Sequence, residues 1–250
     1  MMSHAGRRFV RDTCYDRLTP SDQAAGVPQP PLFRQRSAAP GEAITLPDPR
    51  AVPQAELTVT AAITRRESLR DYSPEPLSLE ELSYLLWATQ GLRGEIPGKA
   101  TLRTVPSAGA RHPLETFVLA HRVCELPPGL YPYLPLDHAL GAAVGGADAI
   151  REVAAACLGQ AIVPASAATF LWTAVPYRSA WRYSERAYRY LFLDAGHACQ
   201  NLYLAAESIG AGACAIGAFS DEALNEALGV DGEEEFAIYA AAVGKRPRDL

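Results

Sequence analysis

Three things are scarce in this chain, and each scarcity excludes something. Cysteine is scarce: five in 250 residues, Cys14, Cys124, Cys157, Cys199 and Cys214. The count is odd, the spacing is wide, and no C-x-x-C or Cys/His finger spacing occurs. A disulfide framework and a structural zinc site are therefore not expected. The thiols read as mostly buried small hydrophobes in a reducing compartment. Long apolar runs are also missing. The longest, Ala161 to Tyr177, is broken by Pro164, Ser166 and Pro176, too short and too interrupted for a bilayer. No apolar segment follows Arg7 and Arg8, so no secretory signal is expected. Excess basic charge is the third absence. Lys+Arg 23 stand against Asp+Glu 28, a net charge of −5 with a pI near 5.6. That disfavours generic nucleic-acid binding, which relies on cationic contact with phosphates. A cytoplasmic protein with no nucleic-acid or membrane partner is the expectation.

What is present is enough for a folded core. Apolar residues make up 48% and charged residues 20%, which excludes a disordered chain. Residues 1–55 differ from the rest: Pro20, Pro28, Pro30, Pro31, Pro40, Pro47, Pro49 and Pro53 all fall there. This segment reads as an extended surface arm, with Ile44 to Leu46 pairing as a short strand and Phe9, Tyr15, Leu32 and Phe33 as anchors. A mobile tail is the alternative. Residues 56–250 read as one domain.

Within that domain, Glu56 to Arg66 has helical spacing. Ser78-Leu79-Glu80-Glu81 is a capping box opening a helix that Gly91 is placed to stop. Glu115 to His121 and Ala167 to Val175 read as strands. Gly129 to Tyr133 reads as an edge strand or turn because it contains Pro132. Asp148 to Leu158 is helical. The longest helix is expected from Ser184 to Ser208, apolar on more than one face, as suits a helix between layers or at a subunit interface. Ser220 caps a short helix ending at Gly229, and Phe236 to Val243 is a final strand. Strands and helices mix without βα alternation, so the expected class is α+β.

Several standard sites are absent from the sequence: the G-x-S-x-G elbow, the P-loop and the G-x-G-x-x-G turn. Asp194, His197 and Asn201 fall one turn apart and read as a hydrogen-bonded polar stripe, with a metal pair as the alternative. Three segments remain. Arg65-Arg66-Glu67-Ser68-Leu69-Arg70 offers guanidinium forks and a hydroxyl, suited to a phosphate or simply solvated. Pro106-Ser107-Ala108-Gly109 precedes a strand and lets backbone approach a flat ring or a phosphate, or is a plain turn. Gly244-Lys-Arg-Pro-Arg248 is a basic tail. Arg178 reads as a ligand contact, or as a surface ion pair.

Taken in order, these blocks resemble the nitroreductase-type flavoproteins, and most closely the SagB/ThcOx branch, the azoline-dehydrogenase-like oxidoreductases. The resemblance covers nearly the whole chain. It is carried by Arg66-x-Ser68-x-Arg70-Asp-Tyr72-Ser, Glu81-Leu-Ser-Tyr-Leu-Leu-Trp87-Ala-Thr-Gln90-Gly91, Pro106-Ser-Ala-Gly109 with His112-Pro-Leu-Glu115, and Gly129-Leu-Tyr131-Pro-Tyr133. Further blocks are Tyr183-Ser-Glu-Arg186, Leu193-Asp-Ala-Gly196-His197, Asn201-Leu-Tyr203, Ile216-Gly-Ala-Phe219 and Gly244-Lys245.

The resemblance implies a nitroreductase-like α+β fold with a central, mainly antiparallel sheet flanked by helices. It implies a homodimer with FMN at the interface. Arg66 and Ser68 would hold the FMN phosphate, with Lys245 and Arg246 closing on it. Arg70 would face the N1/O2 edge of the ring, where charge develops on reduction. Pro106, Ser107, Ala108 and Gly109 would cover the ring of the partner chain's flavin, and Ile216 and Gly217 would offer N–H groups to N5 and O4. The reaction would be hydride transfer at N5 with a small organic substrate, such as dehydrogenation of an azoline-type heterocycle. Azoline-oxidising members carry a Lys-Tyr pair before the long helix; here it is Arg182-Tyr183. Arginine does not give up its proton, which leaves Tyr183 as acid or base and Arg182 as stabiliser of its phenolate. Two alternatives stand beside this reading. One is an NAD(P)H-dependent nitro or quinone reductase. The other is a flavin-binding protein without turnover.

Overall fold

The computed structural model describes residues 4–33, 43–53, 56–144 and 146–247. The elements in chain order begin with α1 (Ala5–Asp12), β1 (Ile44–Thr45), α2 (Val59–Arg65) and α3 (Leu79–Gln90). A hairpin follows, β2 (Leu92–Ile96) and β3 (Ala100–Arg103), then β4 (Leu114–Ala120), β5 (Gly129–Leu134) and β6 (Ala139–Leu140). Next are α4 (Gly146–Ala156), α5 (Ile162–Ala165), β7 (Ala168–Ala174), α6 (Tyr177–Tyr183) and α7 (Ala187–Ser208). The chain closes with β8 (Ala211–Ile216), α8 (Asp221–Leu228) and β9 (Phe236–Lys245).

One antiparallel sheet runs in the order β1-β6-β5-β4-β7-β9-β8. Its central strands are buried on both faces, and side chains alternate between two cores. Val118, Phe170, Trp172, Ala241 and Val243 face one core with Leu82, Leu85 and Leu86 of α3 and Leu191, Ala195 and Leu202 of α7. Phe117, Leu119, Leu171, Ala240 and Ala242 face the other, with Val153 of α4 and Leu224 and Leu228 of α8. The class is the expected α+β, a sheet between two helical layers.

Local chemistry explains most boundaries. The Ser78 hydroxyl accepts from the Glu81 N–H and the Glu81 carboxylate accepts from the Ser78 N–H, so α3 starts on the expected reciprocal cap. Ser220 caps α8 and Gly229 closes it in the left-handed conformation. Other expectations need correction. Gly91 ends α3 at φ −60 in extended backbone, not as a left-handed stop. β5 is not an edge strand: β6 pairs outside it through Tyr133 and Leu134, just beyond Pro132. The expected helix from Ser184 is broken at its start, where Ser184 has φ 49 and separates α6 from α7.

The arm is partly helical, since α1 occupies Ala5–Asp12, while Ile44–Thr45 pairs with β6 as expected. It lies along α6 and the start of α7. The Trp181 indole donates to the Val27 carbonyl (2.9 Å), Tyr177 donates to Asp22 (2.7 Å) and Arg189 donates to the Thr13 hydroxyl (2.6 Å).

Candidate functional site

The expected site residues fall into two groups. The first gathers around the end of β8. Arg66 caps α2, and the chain from Ser68 to Ser73 then lies across β8 and β9. The Leu69 N–H donates to the Ala213 carbonyl and the Ser73 N–H to the Lys245 carbonyl, each at 3.0 Å. Gly212 makes this possible: a Cβ there would stand 2.5 Å from Leu69 Cδ2. Tyr203 of α7 ties the group together. Its hydroxyl accepts from the Ala215 N–H (2.8 Å) and bonds the Ser68 hydroxyl (3.0 Å), and the Arg66 guanidinium lies 5.4 Å from its ring centre. Ser68 is thereby placed beside Ala213 of β8, and Gly217 lies exposed just past the last ladder pair of that strand.

The cations of this group are not equivalent. Arg246 bridges Glu67 (2.7 Å) and Glu207 (2.5 Å). Lys245 pairs with Glu81 and donates to the Ile209 carbonyl. Arg66 and Arg70 make no ion pair among the described residues, and Arg70 donates only to the Ser68 carbonyl (3.3 Å). Two guanidinium groups without carboxylates among the described residues and a hydroxyl form a donor set suited to a phosphomonoester. The residues present therefore fit the phosphate end of FMN. Arg248 of the basic tail lies outside the described residues.

The second group lies at the other half of α7. Ser107 donates to the Asp194 carboxylate (2.6 Å) and accepts from the His112 N–H (2.9 Å). Gly109 has φ 57, and a Cβ there would stand 2.4 Å from the Tyr183 hydroxyl. The Tyr183 ring meets Tyr190 edge-on at 5.0 Å, with the Arg182 guanidinium 5.6 Å from the Tyr183 ring centre. Pro106, Ser107, Ala108 and Gly109 thus share a site with Arg182 and Tyr183. The two groups do not meet within one chain. Their anchors, Asp194 and Tyr203, stand nine residues apart on α7, about 13 Å along the helix.

Arg178 is not a surface ion pair. It is buried, and it donates to Glu115 at 2.5 Å from within the fold. Asp194 and Tyr203 are the residues that sequence reading undervalued. Asp194 fell in a stripe read as packing, and only tertiary structure brings Ser107 to it. Asn201, in the same stripe, donates to the Ala88 carbonyl (2.9 Å).

Burial sets the electrostatics of the second group. It raises the Asp194 carboxyl to about 6, against hydrogen bonds from Ser107 and Ala108 and the charge of His197. Burial pushes His112 down to about 3 and His121 to about 4, aided by neighbouring arginines. The signs oppose. Below about pH 6.5 the unfolded chain protonates two imidazoles that the fold keeps neutral, so acid destabilises. Between about pH 6 and 4 the folded Asp194 takes up its proton before the unfolded one does, which offsets one of them. Melts at pH 6, 5 and 4 should show stability falling with acid, as the depressed imidazoles require. Asp194→Asn should steepen that fall by up to about 1.4 kcal/mol per unit, the one proton whose uptake it removes. An unchanged slope would contradict the assignment.

An antiparallel sheet sandwiched by helices carries the cationic group over β8 and the small-residue loop at the other half of the long helix, both anchored along α7. Comparison with known proteins gives this class a family. Residues 63–245 match the model of the nitroreductase family. The chain is 32% identical over 191 residues to a Methanocaldococcus jannaschii protein named for the nitroreductases, covering 76% of this chain and 92% of that one. It is 30% identical over 148 residues to TfxB, the trifolitoxin-processing protein of Rhizobium leguminosarum bv. trifolii, covering 55% of this chain and 39% of TfxB.

Among solved structures, one from Anabaena variabilis named for the nitroreductases superposes with a TM-score of 0.73 at 29% identity. The match covers 95% of this chain and 45% of that one. The E. coli microcin synthetase McbBCD complex with truncated pro-MccB17 superposes at 0.61 over 99% of both chains; at 18% identity this is a likeness of fold. This chain therefore spans less than half the length of TfxB and of the Anabaena chain. The protein belongs to the nitroreductase family. The likeness to TfxB agrees with the SagB/ThcOx resemblance.

Proposed function

We propose that the protein is an FMN-dependent oxidoreductase that works as a homodimer. The observation that carries this reading is the division of the site. One chain holds a phosphate-type cradle at Arg66, Ser68 and Arg70, and a ring-covering loop about 13 Å away along α7. Two copies would complete two sites. Exposed apolar residues on α2 and α7, Val59, Ile63, Phe192 and Leu193, support burial against a second copy.

When bound, FMN supplies hydride transfer at N5. Arg66 and Ser68 hold its phosphate. Lys245 and Arg246, now paired with Glu81, Glu67 and Glu207, would add positive charge beside it. Arg70 would stabilise the negative charge that develops on the ring, and Ile216 and Gly217 would offer it backbone N–H groups. Pro106, Ser107, Ala108 and Gly109 of each copy would cover the ring held by the other. Tyr183 exchanges a proton with substrate at its hydroxyl, and Arg182 favours its phenolate.

The substrate class favoured is an azoline-type heterocycle, supported by the similarity to TfxB, whose name ties it to trifolitoxin processing. The second reading, an NAD(P)H-dependent nitro or quinone reductase, is supported by the other relatives named for nitroreductases. An anaerobic experiment separates them. The expected result is bleaching of the bound flavin by an azoline-bearing compound without NAD(P)H. Bleaching by NAD(P)H alone, with turnover of nitroaromatic or quinone acceptors, would establish the reductase instead. Bleaching by neither would leave binding without turnover.

A further inference from the structure

The loop from Pro106 to Pro113 is held in an uncommon shape. Gly109, Ala110 and His112 have φ of 57, 52 and 46. Two of these are not glycine, and such backbone persists only where neighbours over-determine it. The neighbour here is Asp194. Its side chain projects from α7, and the residue is 5% exposed. Its carboxylate accepts from the Ser107 hydroxyl at 2.6 Å and from the Ala108 N–H, while the Ser107 oxygen accepts from the His112 N–H at 2.9 Å. One carboxylate therefore governs both ends of the irregular turn. On the far side of the loop, Gly109 lies against the Tyr183 hydroxyl.

We propose that Asp194 is a positioning residue: it clamps the 106–112 loop onto α7 and through Gly109 fixes Tyr183. The role assigned to Tyr183 rests on the proposed function; the clamp itself does not. The hydrogen bonds favour the ionised carboxylate and burial disfavours it, so protonation of Asp194 changes the contact that holds Ser107. Burial raises that ionisation to about 6. The charged group acting on it is His197, one turn along α7; Tyr190 lies one turn back, Arg182 and Tyr183 of α6 stand against Gly109, and Arg111 and His112 belong to the loop itself. His112, pushed down to about 3, stays neutral across the range in question.

Trp181 reports on the loop, because the Arg111 guanidinium lies 5.0 Å from its ring centre. The test is tryptophan emission of the purified full-length protein between pH 5 and 8, alongside kcat and KM. The wild type should show a transition with a midpoint near pH 6. His197→Gln, which removes the neighbouring imidazole, should keep it. Asp194→Asn should abolish it and lower kcat about tenfold or more with KM little changed. Ser107→Ala removes the contact from the loop side, leaves the buried helix position intact, and should uncouple emission from pH in the same way. A transition that survives in Ser107→Ala, or in an Asp194→Asn protein that melts cooperatively, would overturn the clamp. If emission loses its transition in Asp194→Asn while Tyr183→Phe retains full activity, the clamp stands and the role of Tyr183 falls.

Discussion

Arg66→Ala should purify without its flavin. Arg66 closes α2 with its guanidinium over Tyr203, and no carboxylate among the described residues competes for it. A bidentate fork to a phosphate makes two charge-assisted hydrogen bonds, each about 1.5–3 kcal/mol. Losing both weakens FMN binding by about a hundredfold or more. The fold should survive, because the side chain is only half-buried and its ring contact is worth about 0.5–1 kcal/mol. Arg65→Ala, one residue earlier in the last helical turn and outside the assigned set, should keep its flavin. The flavin-to-protein ratio after gel filtration decides the matter. A full complement in Arg66→Ala would refute the phosphate assignment.

Tyr183→Phe should have the opposite phenotype: flavin bound, turnover lost. The ring packs edge-on against Tyr190, and phenylalanine preserves that contact. What is removed is the hydroxyl beside Gly109, the group assigned to proton exchange. Positioned acid–base groups contribute about 10²–10⁴-fold, so kcat should fall by about 10² or more at unchanged flavin stoichiometry. Rapid-mixing kinetics of flavin reduction by substrate is the measurement. Wild-type rates would remove Tyr183 from the chemistry and shift weight to Arg182, or to a reaction that needs no proton acceptor.

Most of the fold was legible where chemistry is local. The Ser78–Glu81 capping box, the Ser220 cap and the alternating strands β4, β7 and β9 can be read from residues a few positions apart. β8 was not legible. Ala211 to Ile216 is mostly glycine and alanine, residues with little strand preference, and its pairing with β9 supplies what propensity does not. The β2–β3 hairpin was missed as well, although Pro97-Gly98 marks its turn. The break at Ser184 carries no sequence signal, since a serine at φ 49 is imposed by its surroundings.

The site shows the same division. Arg66, Ser68 and Arg70 stand out as a run, but Tyr203 acquires its place only because Ser68 and Ala215 converge on its hydroxyl. Arg178 reads from sequence as a substrate or flavin contact or as a surface ion pair, and only tertiary structure puts Glu115 beside it in the core. Asp194 reads as one more polar position on a helix until the loop at Ser107 closes onto it.

The most direct test of the central claim is the visible spectrum of the purified protein, with identification of the released chromophore. The account predicts the bands of an oxidised flavin and FMN in the extract. A colourless protein that remains colourless after incubation with FMN would contradict it.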